Sequence, residues 1–281
     1  MAKMSYRKFK EAVKKLQKGR FKWLVSFAAT THESIKYFSL IIVYWNKDGL
    51  WVNRRPDVQF VSTEVNVTSY RQVLDRVKDL WCYGCPLTPG GIVVDVGAGI
   101  GEDIVAFSRI VGPYGKVFAI EAHPRLFECL VQTIKKNVLT NVVPIQLAVS
   151  AIKCDLLLSD ENNILSGSTV NGIGTIPVKG LPLDEIFDEF ELKRIDLLKI
   201  NIEGAEVDAL LGMKSLSTLV GSIVVSCHDF IANSYGGSDS LRTFRRVEDI
   251  LRALDFQLIN RCNDTREEVR FIHYGSRSIL T

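Results

Sequence analysis

A short apolar segment that runs straight into a glycine-rich loop constrains this chain more than any other feature. Residues Ile92-Val93-Val94-Asp95-Val96 are mostly β-branched, which is typical of a strand buried on both faces in a parallel sheet. Gly97-Ala98-Gly99-Ile100-Gly101 follows at once, and an apolar helical pattern begins directly after it. A strand, a glycine loop and a helix in this order predict an α/β fold whose backbone closely approaches a nucleotide-like ligand.

A second predicted strand, Lys116–Ile120, ends at an acidic residue, Glu121. This residue lies 20 positions after Gly101, the interval at which dinucleotide sites place a carboxylate on the ribose hydroxyls. The loop itself departs from the dinucleotide pattern G-x-G-x-x-G because Glu102 stands in place of the third glycine. The one Tyr-x-x-x-Lys sequence lies upstream, at residues 6–10, which disfavours a dehydrogenase.

Two motifs carry a resemblance to known methyltransferases. Asp95 and the three glycines form D-x-G-x-G-x-G, which resembles motif I of class I S-adenosylmethionine-dependent methyltransferases. The segment D-L-L-K-I-N-I-E-G-A-E at residues 196–206 resembles D-L-L-K-x-D-x-E-G-x-E of the FkbM-type methyltransferase family, and it is the more specific of the two. Residues 121–124 and 183–186 resemble further segments of that family, so the likeness covers roughly residues 60–260.

The resemblance implies a Rossmann-like class I methyltransferase fold, with a seven-stranded, mostly parallel sheet, and S-adenosyl-L-methionine as cofactor. It places the glycine loop against the methionine portion of the cofactor, Glu121 on the ribose and residues 146–148 near the adenine. Ligands of such sheets bind beyond the carboxyl ends of the strands. The predicted cofactor-binding residues are Asp95, Gly97, Ala98, Gly99, Gly101, Glu121, Ala122, Gln146 and Ala148.

Polar residues at the ends of predicted strands 4 and 5 are the candidates for catalysis. Asn201 and Glu203 follow one strand, and His228 and Asp229 follow the next. A hydroxyl acceptor must lose its proton before it attacks a methyl group, which requires a general base or a metal ion. The sequence predicts His228 as the base, with Asn201 and Glu203 as further catalytic residues, and Asn201 with Asp229 as possible Mg²⁺ ligands.

Each of these assignments has a structural alternative. Gln146 could cap a strand, and His228 with Asp229 could simply hydrogen-bond the loop that leads to Tyr235. Glu206 starts a predicted helix, where acidic residues are favoured whatever the function.

The acceptor is predicted to be a hydroxyl on a sugar, a lipid or a small metabolite. Base methylation is disfavoured because the chain contains no Pro-Pro pair, and Cys85-Pro86 reverses the Pro-Cys order of cytosine carbon-5 enzymes. An RNA methyltransferase remains an alternative because the N-terminus is basic. A cofactor-binding module without catalysis is another, because Asn201 and Ser226 stand where the family usually has acidic residues.

The first 22 residues are strongly basic. They hold nine Lys or Arg against one Glu, a balance of +8 in a chain whose formal charge is +3, so the remainder carries −5. Apolar residues between Tyr6 and Leu24 recur at helical spacing, which predicts a cationic amphipathic helix. This helix either contacts an anionic membrane peripherally or packs on its own domain. A cytoplasmic location is expected, because no spanning segment or secretory signal is evident and the six cysteines suit reduced thiols.

The remaining elements extend the predicted fold. An Asp-Gly turn at residues 48–49 predicts a β-hairpin, and a helix is predicted from Ser69 to Trp81. Prolines and glycines near residue 90 mark the predicted boundary between an N-terminal extension, residues 1–90, and a methyltransferase domain, residues 91–281. Two short strands are predicted within residues 154–178, and an antiparallel pair is predicted to close the sheet.

Overall fold

The computed structural model describes residues 16, 17, 19, 21–37, 39–158, 176–231 and 242–277. The predicted helix at residues 1–22 lies mostly outside the described residues, as do Tyr235 and the middle of the predicted 154–178 insertion. None of the helices in the described ranges combines the length and the apolar character needed to cross a membrane.

The N-terminal part forms a helix, a three-stranded antiparallel sheet and a second helix. The predicted hairpin is confirmed by the pairing of β1 with β2, and β3, which the sequence analysis did not predict, pairs with the other side of β2. Ser69 begins the second helix with a capping box, in which its side chain and that of Gln72 each bond the other's backbone amide. The elements are α1 (Lys22–Tyr37), β1 (Ile42–Trp45), β2 (Trp51–Arg54), β3 (Gln59–Ser62) and α2 (Tyr70–Arg76), which continues as a π-helical turn (Val77–Trp81).

The rest of the chain alternates strands with helices. The strands are β4 (Ile92–Val96), β5 (Lys116–Ile120), β6 (Val142–Ile145), β7 (Ala148–Val149), β8 (Cys154–Leu158), β9 (Ile176–Leu181), β10 (Leu197–Ile200), β11 (Ser222–Ser226), β12 (Gln257–Asn260) and β13 (Ile272–Ser276). The helices are α3 (Glu102–Val111), α4 (Pro124–Lys136), α5 (Leu183–Phe187), α6 (Glu206–Leu211) and α7 (Phe244–Ala253).

Seven strands form the main sheet in the order β12-β13-β11-β10-β4-β5-β6. The five strands from β11 to β6 are parallel, whereas β13 runs antiparallel to both β11 and β12. This confirms the predicted mostly parallel sheet, its antiparallel closing pair and the adjacency of strands 4 and 5, which are β10 and β11. The last strand, β13, begins at Ile272, directly after a 3₁₀ turn formed by residues Glu268–Phe271.

A second small sheet lies beside the main one. It has the order β7-β9-β8 and contains the two short strands predicted within residues 154–178.

Both faces of the main sheet are buried, and the N-terminal part contributes to one of them. Phe60, Val73, Val77 and Trp81 belong to the same apolar cluster as Ile104 and other residues of α3. The boundary near residue 90 remains a prediction, since residues on either side of it complete one core.

Candidate functional site

The glycine loop is held by close contacts that only glycine permits. Gly97 has a φ of +84°, and a Cβ added there would lie 2.2 Å from the carbonyl oxygen of Asn201. Gly101 has a φ of +86°, and a Cβ there would lie 2.7 Å from Cδ1 of Leu130. The backbone amides of Gly97 and Ala98 both donate to the Ile120 carbonyl at 3.0 Å, so the loop folds over the end of β5.

A cavity of about 300 Å³ opens at the carboxyl ends of β4, β5 and β10. Five of the predicted cofactor-binding residues line it, and it is otherwise walled mainly by apolar side chains. The lining residues are Val96, Gly97, Gly99, Ile120, Glu121, Ala122, His123, Leu126, Leu147, Ala148, Val149, Leu158, Asn201, Ile202, Glu203 and Ala205.

Four predicted cofactor-binding residues lie off the cavity wall. Asp95 is fully buried on β4, and Gln146 is exposed while its neighbour Leu147 faces the cavity. Ala98 and Gly101 hold the loop together, since the amide of Gly101 donates to the Ala98 carbonyl at 3.0 Å.

Sequence reasoning missed two leucines of the wall. Leu126 lies on α4 and Leu158 on β8, and no local pattern distinguishes either from an ordinary buried leucine.

The Glu121 carboxylate sits in the cavity and is held by backbone amides. Its Oε2 accepts a hydrogen bond from the Gly99 amide at 2.8 Å, and its Oε1 accepts one from the His123 amide at 2.8 Å. Burial raises the pKa of Glu121, although these hydrogen bonds oppose the shift. Each carboxylate oxygen has two acceptor positions, so both oxygens retain capacity for the hydroxyls of a ligand.

Asp95 forms a buried ion pair with a lysine, and its predicted contact with the cofactor stays a prediction. Lys199 is its direct neighbour on β10, and the two charged atoms, Nζ and Oδ1, are 2.6 Å apart. Both side chains are almost fully buried, and burial raises the pKa of Asp95 to about 6 against the opposing effect of Lys199. The Lys199 ammonium also donates to the Gly97 carbonyl at 3.3 Å, which ties the pair to the glycine loop.

Asn201 and Glu203 follow β10 and both reach the cavity. Glu203 has a left-handed backbone with a φ of +48°, a conformation that non-glycine residues rarely adopt. Burial raises the pKa of its carboxyl to about 7, with a smaller opposing effect of His228 and smaller reinforcing effects of Glu206 and Glu121. A carboxyl with this pKa exchanges its proton near neutral pH.

The imidazole of His228 is paired with the carboxylate of Glu206. The His228 Nδ1 lies 2.9 Å from Oε1 of Glu206, whose side chain is fully buried. Glu206 also accepts hydrogen bonds from the Gly204 amide and from the Thr243 hydroxyl, each at 3.0 Å. Since the Glu206 carboxylate accepts its other hydrogen bonds from donors as well, Nδ1 of His228 donates to it, and Nε2 is the imidazole nitrogen that Glu206 does not engage. The sequence placed Glu206 at the start of a predicted helix but did not reveal this contact.

Asp229 caps a helix. Its Oδ2 accepts hydrogen bonds from the backbone amides of Thr243 and Phe244, each at 3.1 Å, at the start of α7. Across the described part of the chain, no group of three or more His, Cys, Asp or Glu side chains is arranged to hold a metal ion. The Mg²⁺ site formed by Asn201 and Asp229 therefore remains a prediction.

Comparison with known proteins identifies the family. The sequence model of the methyltransferase FkbM domain matches residues 95–258, which include the glycine loop, Glu121, Glu203 and His228. The chain belongs to the FkbM methyltransferase family. The family resemblance carried by the sequence motifs is thereby confirmed.

One curated relative of this FkbM methyltransferase is a hexuronic acid methyltransferase, AglP, from Haloferax volcanii. The two are 25% identical over 130 residues, which cover 46% of this chain and 54% of that protein. The chain thus spans about half the length of the curated relative that it matches.

Solved structures with a similar chain path include a putative O-methyltransferase and a fibrillarin. A putative O-methyltransferase from Klebsiella pneumoniae is 9% identical, with a TM-score of 0.46 and coverage of 75% of this chain and 82% of that one. Fibrillarin from Aeropyrum pernix, solved with S-adenosyl-L-methionine, is 13% identical, with a TM-score of 0.42 and coverage of 84% and 98%.

The cavity of this FkbM methyltransferase fits the cofactor of its family. A Cβ at Gly99 would meet nothing within 4 Å, so the loop backbone is open to the cavity at this residue, and Glu121 presents acceptor positions to hydroxyl groups. Leu126, Leu147 and Leu158 offer an apolar surface suited to a flat base.

Proposed function

We propose that this FkbM methyltransferase transfers a methyl group to a hydroxyl oxygen of a sugar or a related small acceptor. The observation that carries the proposal is the Glu203 carboxyl, whose pKa is about 7 and which lies on the wall of the cavity beside His228. A general base works best when its pKa is close to the operating pH. A hydroxyl acceptor requires such a base, whereas an amine that is already neutral does not.

In the proposed reaction, the residues of the site have separate roles. S-adenosyl-L-methionine supplies an electrophilic methyl group on a sulfonium sulfur. Gly97, Gly99 and Glu121 bind and orient the cofactor, and Asn201 lies at the cavity end nearest β10. As the acceptor oxygen bonds to the methyl carbon and the carbon–sulfur bond breaks, the hydroxyl proton passes to a base. The products are a methyl ether, S-adenosylhomocysteine and the protonated base.

Two groups are suited to accept this proton. His228 is the base expected from the sequence, and its Nε2 is available because Glu206 occupies Nδ1. Glu203 has the more direct access, because it lines the cavity while His228 lies behind it. We propose that Glu203 contacts the acceptor hydroxyl and that His228 stabilises its ionised form, in agreement with the lowering effect of His228 on the pKa of Glu203.

A second cavity beside the same turn suits an acidic acceptor. It is lined by Gly204 and by Thr243, whose hydroxyl bonds Glu206, and Val149 is common to both cavities. Arg246 lies on its wall, and the structure shows no ion pair for it among the described residues, whereas the adjacent Arg245 pairs with Glu248. A free guanidinium binds a carboxylate in a bidentate manner. Together with the name of the AglP relative, this supports a uronic acid unit as the acceptor.

A metal-assisted reaction with Mg²⁺ is the weaker form of the proposal. Carboxylate oxygens are the preferred ligands of this ion, but Asp229 already accepts two backbone amides with Oδ2. We therefore expect methyl transfer to continue after exhaustive treatment with EDTA. Loss of activity that added Mg²⁺ restores would instead support the metal site.

The proposed base is tested with Glu203→Gln and His228→Ala, assayed with labelled S-adenosyl-L-methionine and a panel of uronic acid and neutral glycosides. Loss of a general base lowers turnover ~10²–10⁴-fold. We expect Glu203→Gln to lose this much and to abolish the rise of activity with pH through about 7, since Glu203 must be ionised to accept a proton. We expect His228→Ala to lower turnover as well, while both variants bind S-adenosylhomocysteine as before.

Glu191→Gln is the matched control. Glu191 also has a left-handed backbone, with a φ of +47°, but it is exposed and does not line this cavity. Near-normal turnover in Glu203→Gln together with a large loss in His228→Ala would make His228 the base. Near-normal turnover in both would contradict general-base catalysis at this site.

The acceptor class is tested separately with Arg246→Ala and its neighbour Arg245→Ala. Arg246→Ala should raise KM for a uronic acid glycoside about 10–150-fold, since a hydrogen bond to a charged group contributes about 1.5–3 kcal/mol. The KM for the matching neutral glycoside should not change, and Arg245→Ala should behave like the parent. An equal effect on both glycosides would contradict carboxylate recognition.

A further inference from the structure

Helix α1 turns its polar residues toward the protein. Thr30 Oγ1 accepts a hydrogen bond from the Val43 amide at 2.9 Å, and the Ser26 hydroxyl donates to the Val43 carbonyl. In the same way, the Ser34 hydroxyl donates to the Ile41 carbonyl at 3.0 Å and accepts from the Ile41 amide at 3.1 Å. These residues lie along β1, an edge strand whose backbone groups need partners. The inner face of α1 is therefore used for hydrogen bonding.

The inner face also carries a buried ion pair. Glu33 Oε2 lies 2.7 Å from an Arg55 guanidinium nitrogen, and both side chains are nearly inaccessible. Apolar contact on this side is limited to Val25 and Ala29, which pack against a small cluster that includes Ile41 and Trp51.

The outer face of α1 carries large apolar residues in solvent. Trp23, Phe27 and Ile35 are 62%, 69% and 67% exposed, and their spacing of four and eight residues aligns them on one side of the helix. Leu24 is also exposed on this side, at 44%. We call these four residues the outer stripe. A surface helix of a globular protein normally has the opposite arrangement, with its apolar stripe toward the core.

The charge of the neighbouring sequence indicates what covers the outer stripe. Residues 1–22 carry nine Lys or Arg and one Glu, and they lead directly into the stripe. Tryptophan and phenylalanine beside a dense set of cations are typical of segments that lie in the interface of an anionic bilayer. A second copy of this chain would bring an equal positive charge against the first, which opposes self-association through this face.

We propose that the outer stripe of α1 docks on the surface of an anionic lipid bilayer, which attracts the positive charge that the sequence of residues 1–22 carries. The apolar side chains enter the boundary between headgroups and acyl chains, while the inner face keeps its hydrogen bonds to β1. This docking would hold the enzyme at a membrane through one face of α1. It does not depend on the identity of the methyl acceptor.

Vesicle binding of the full chain tests the proposal. We expect the protein to sediment with vesicles of phosphatidylcholine and phosphatidylglycerol and not with phosphatidylcholine alone. Binding should weaken severalfold from 0.1 to 1 M NaCl, where the screening length falls from about 10 to 3 Å. The double variant Trp23→Ser, Phe27→Ser should bind at least ~10-fold more weakly, since both lost side chains are of the kind whose burial drives insertion.

Tryptophan fluorescence gives an independent readout. Trp51 and Trp81 are buried and Trp45 is partly buried, so Trp23 is the exposed reporter. Anionic vesicles should shift the emission of the parent protein to the blue, and Trp23→Phe should remove the shift while retaining sedimentation. Tyr114→Ser, which removes an aromatic that is 93% exposed and belongs to neither α1 nor residues 1–22, should bind like the parent.

Three results would overturn the proposal. One is sedimentation of the double variant at the level of the parent. Another is binding that does not depend on anionic lipid. The third is a concentration-dependent dimer, seen by analytical ultracentrifugation, that the double variant loses while the parent fails to bind vesicles, because a second copy would then cover the stripe.

Discussion

Two buried carboxylates on neighbouring parts of the main sheet are each paired with a basic side chain, yet they differ in what surrounds them. Asp95 and Lys199 face each other in the middle of β4 and β10, where both are enclosed by the sheet and its helices. Glu206 and His228 pair beyond the ends of β10 and β11, beside Glu203 and the cavity. We call them the inner pair and the edge pair.

The difference shows how position decides what a buried pair does. The inner pair does not line the cavity, and no described residue hydrogen-bonds Oδ2 of Asp95. Its ion pair joins β4 to β10, so we expect it to act on stability and on the register of these two strands. The edge pair is fully hydrogen-bonded at the carboxylate and leaves one imidazole nitrogen available. A pair whose carboxylate is fully hydrogen-bonded and whose second imidazole nitrogen is available is suited to support chemistry.

The largest expected effect comes from breaking the inner pair. Lys199→Met leaves Asp95 buried without its cation, which should lower the free energy of unfolding at neutral pH by about 3–5 kcal/mol. The double variant Asp95→Asn, Lys199→Met should recover most of this loss, because no uncompensated charge remains. Urea denaturation measures both, and Lys116→Met on the exposed end of β5 is the control. A loss below about 1 kcal/mol in the single variant would show that the pair is not coupled to folding.

The edge pair should respond in turnover instead of stability. Replacing the carboxylate that orients a catalytic histidine lowers kcat by up to about 10⁴ in the serine proteases. Since Glu206 acts here through His228, we expect Glu206→Gln to lower kcat roughly 10²–10³-fold with KM and S-adenosylhomocysteine binding unchanged. Thr243→Val, which removes one hydrogen bond to Glu206 but not the histidine contact, should have a smaller effect. A parallel loss of thermal stability and of S-adenosylhomocysteine binding would mean that Glu206 is only structural.

Neither pair was predicted from the sequence, but the inner pair depends on the more predictable part of the fold. Apolar runs and glycines predicted the strands, because burial between helices demands them, and the Lys199–Asp95 contact follows once β10 and β4 are neighbours. The contact of Glu206 with His228 spans 22 residues and depends on how two turns bend, which no local pattern encodes.

Helix α1 and strand β3 show the same limit. The periodicity of α1 indicates which residues share a face but not which face lies inward. Strand β3 has only four residues, and no sequence pattern identifies it until its pairing with β2 is known.

A third buried carboxylate, that of Glu121, is hydrogen-bonded by backbone amides and not by a basic side chain. Glu121→Ala should weaken S-adenosylhomocysteine binding by about 1.5–3 kcal/mol, the value of hydrogen bonds to a charged acceptor. Glu121→Gln, which retains one acceptor oxygen, should lose less, and isothermal titration calorimetry measures both. Because Gly99 and His123 also donate to this carboxylate, thermal unfolding must accompany the measurement. Unchanged affinity in Glu121→Ala would remove this residue from the cofactor site.

The smallest expected effect is a change of stability with pH that is caused by Glu203. Unlike Asp95, which is paired with Lys199, Glu203 forms no ion pair among the described residues. Its pKa is raised to about 7 in the folded protein, chiefly by burial, so the folded state binds more protons than the unfolded state between pH ~4.5 and ~7. The contribution of Glu203 to stability is therefore complete below pH ~4.5 and is lost as the pH rises through about 7. Glu203→Gln removes this titration. Between pH ~4.5 and pH ~8, the free energy of unfolding of the variant should therefore rise by about 1–2 kcal/mol relative to that of the parent. This is less than the full pKa shift implies, because the carboxyl faces a cavity. Chemical denaturation of both proteins across this range measures the difference directly. A stability difference that stays constant with pH would mean that the carboxyl of Glu203 is ionised throughout, and the edge of the sheet would then lack the neutral-range proton acceptor that the proposed reaction requires.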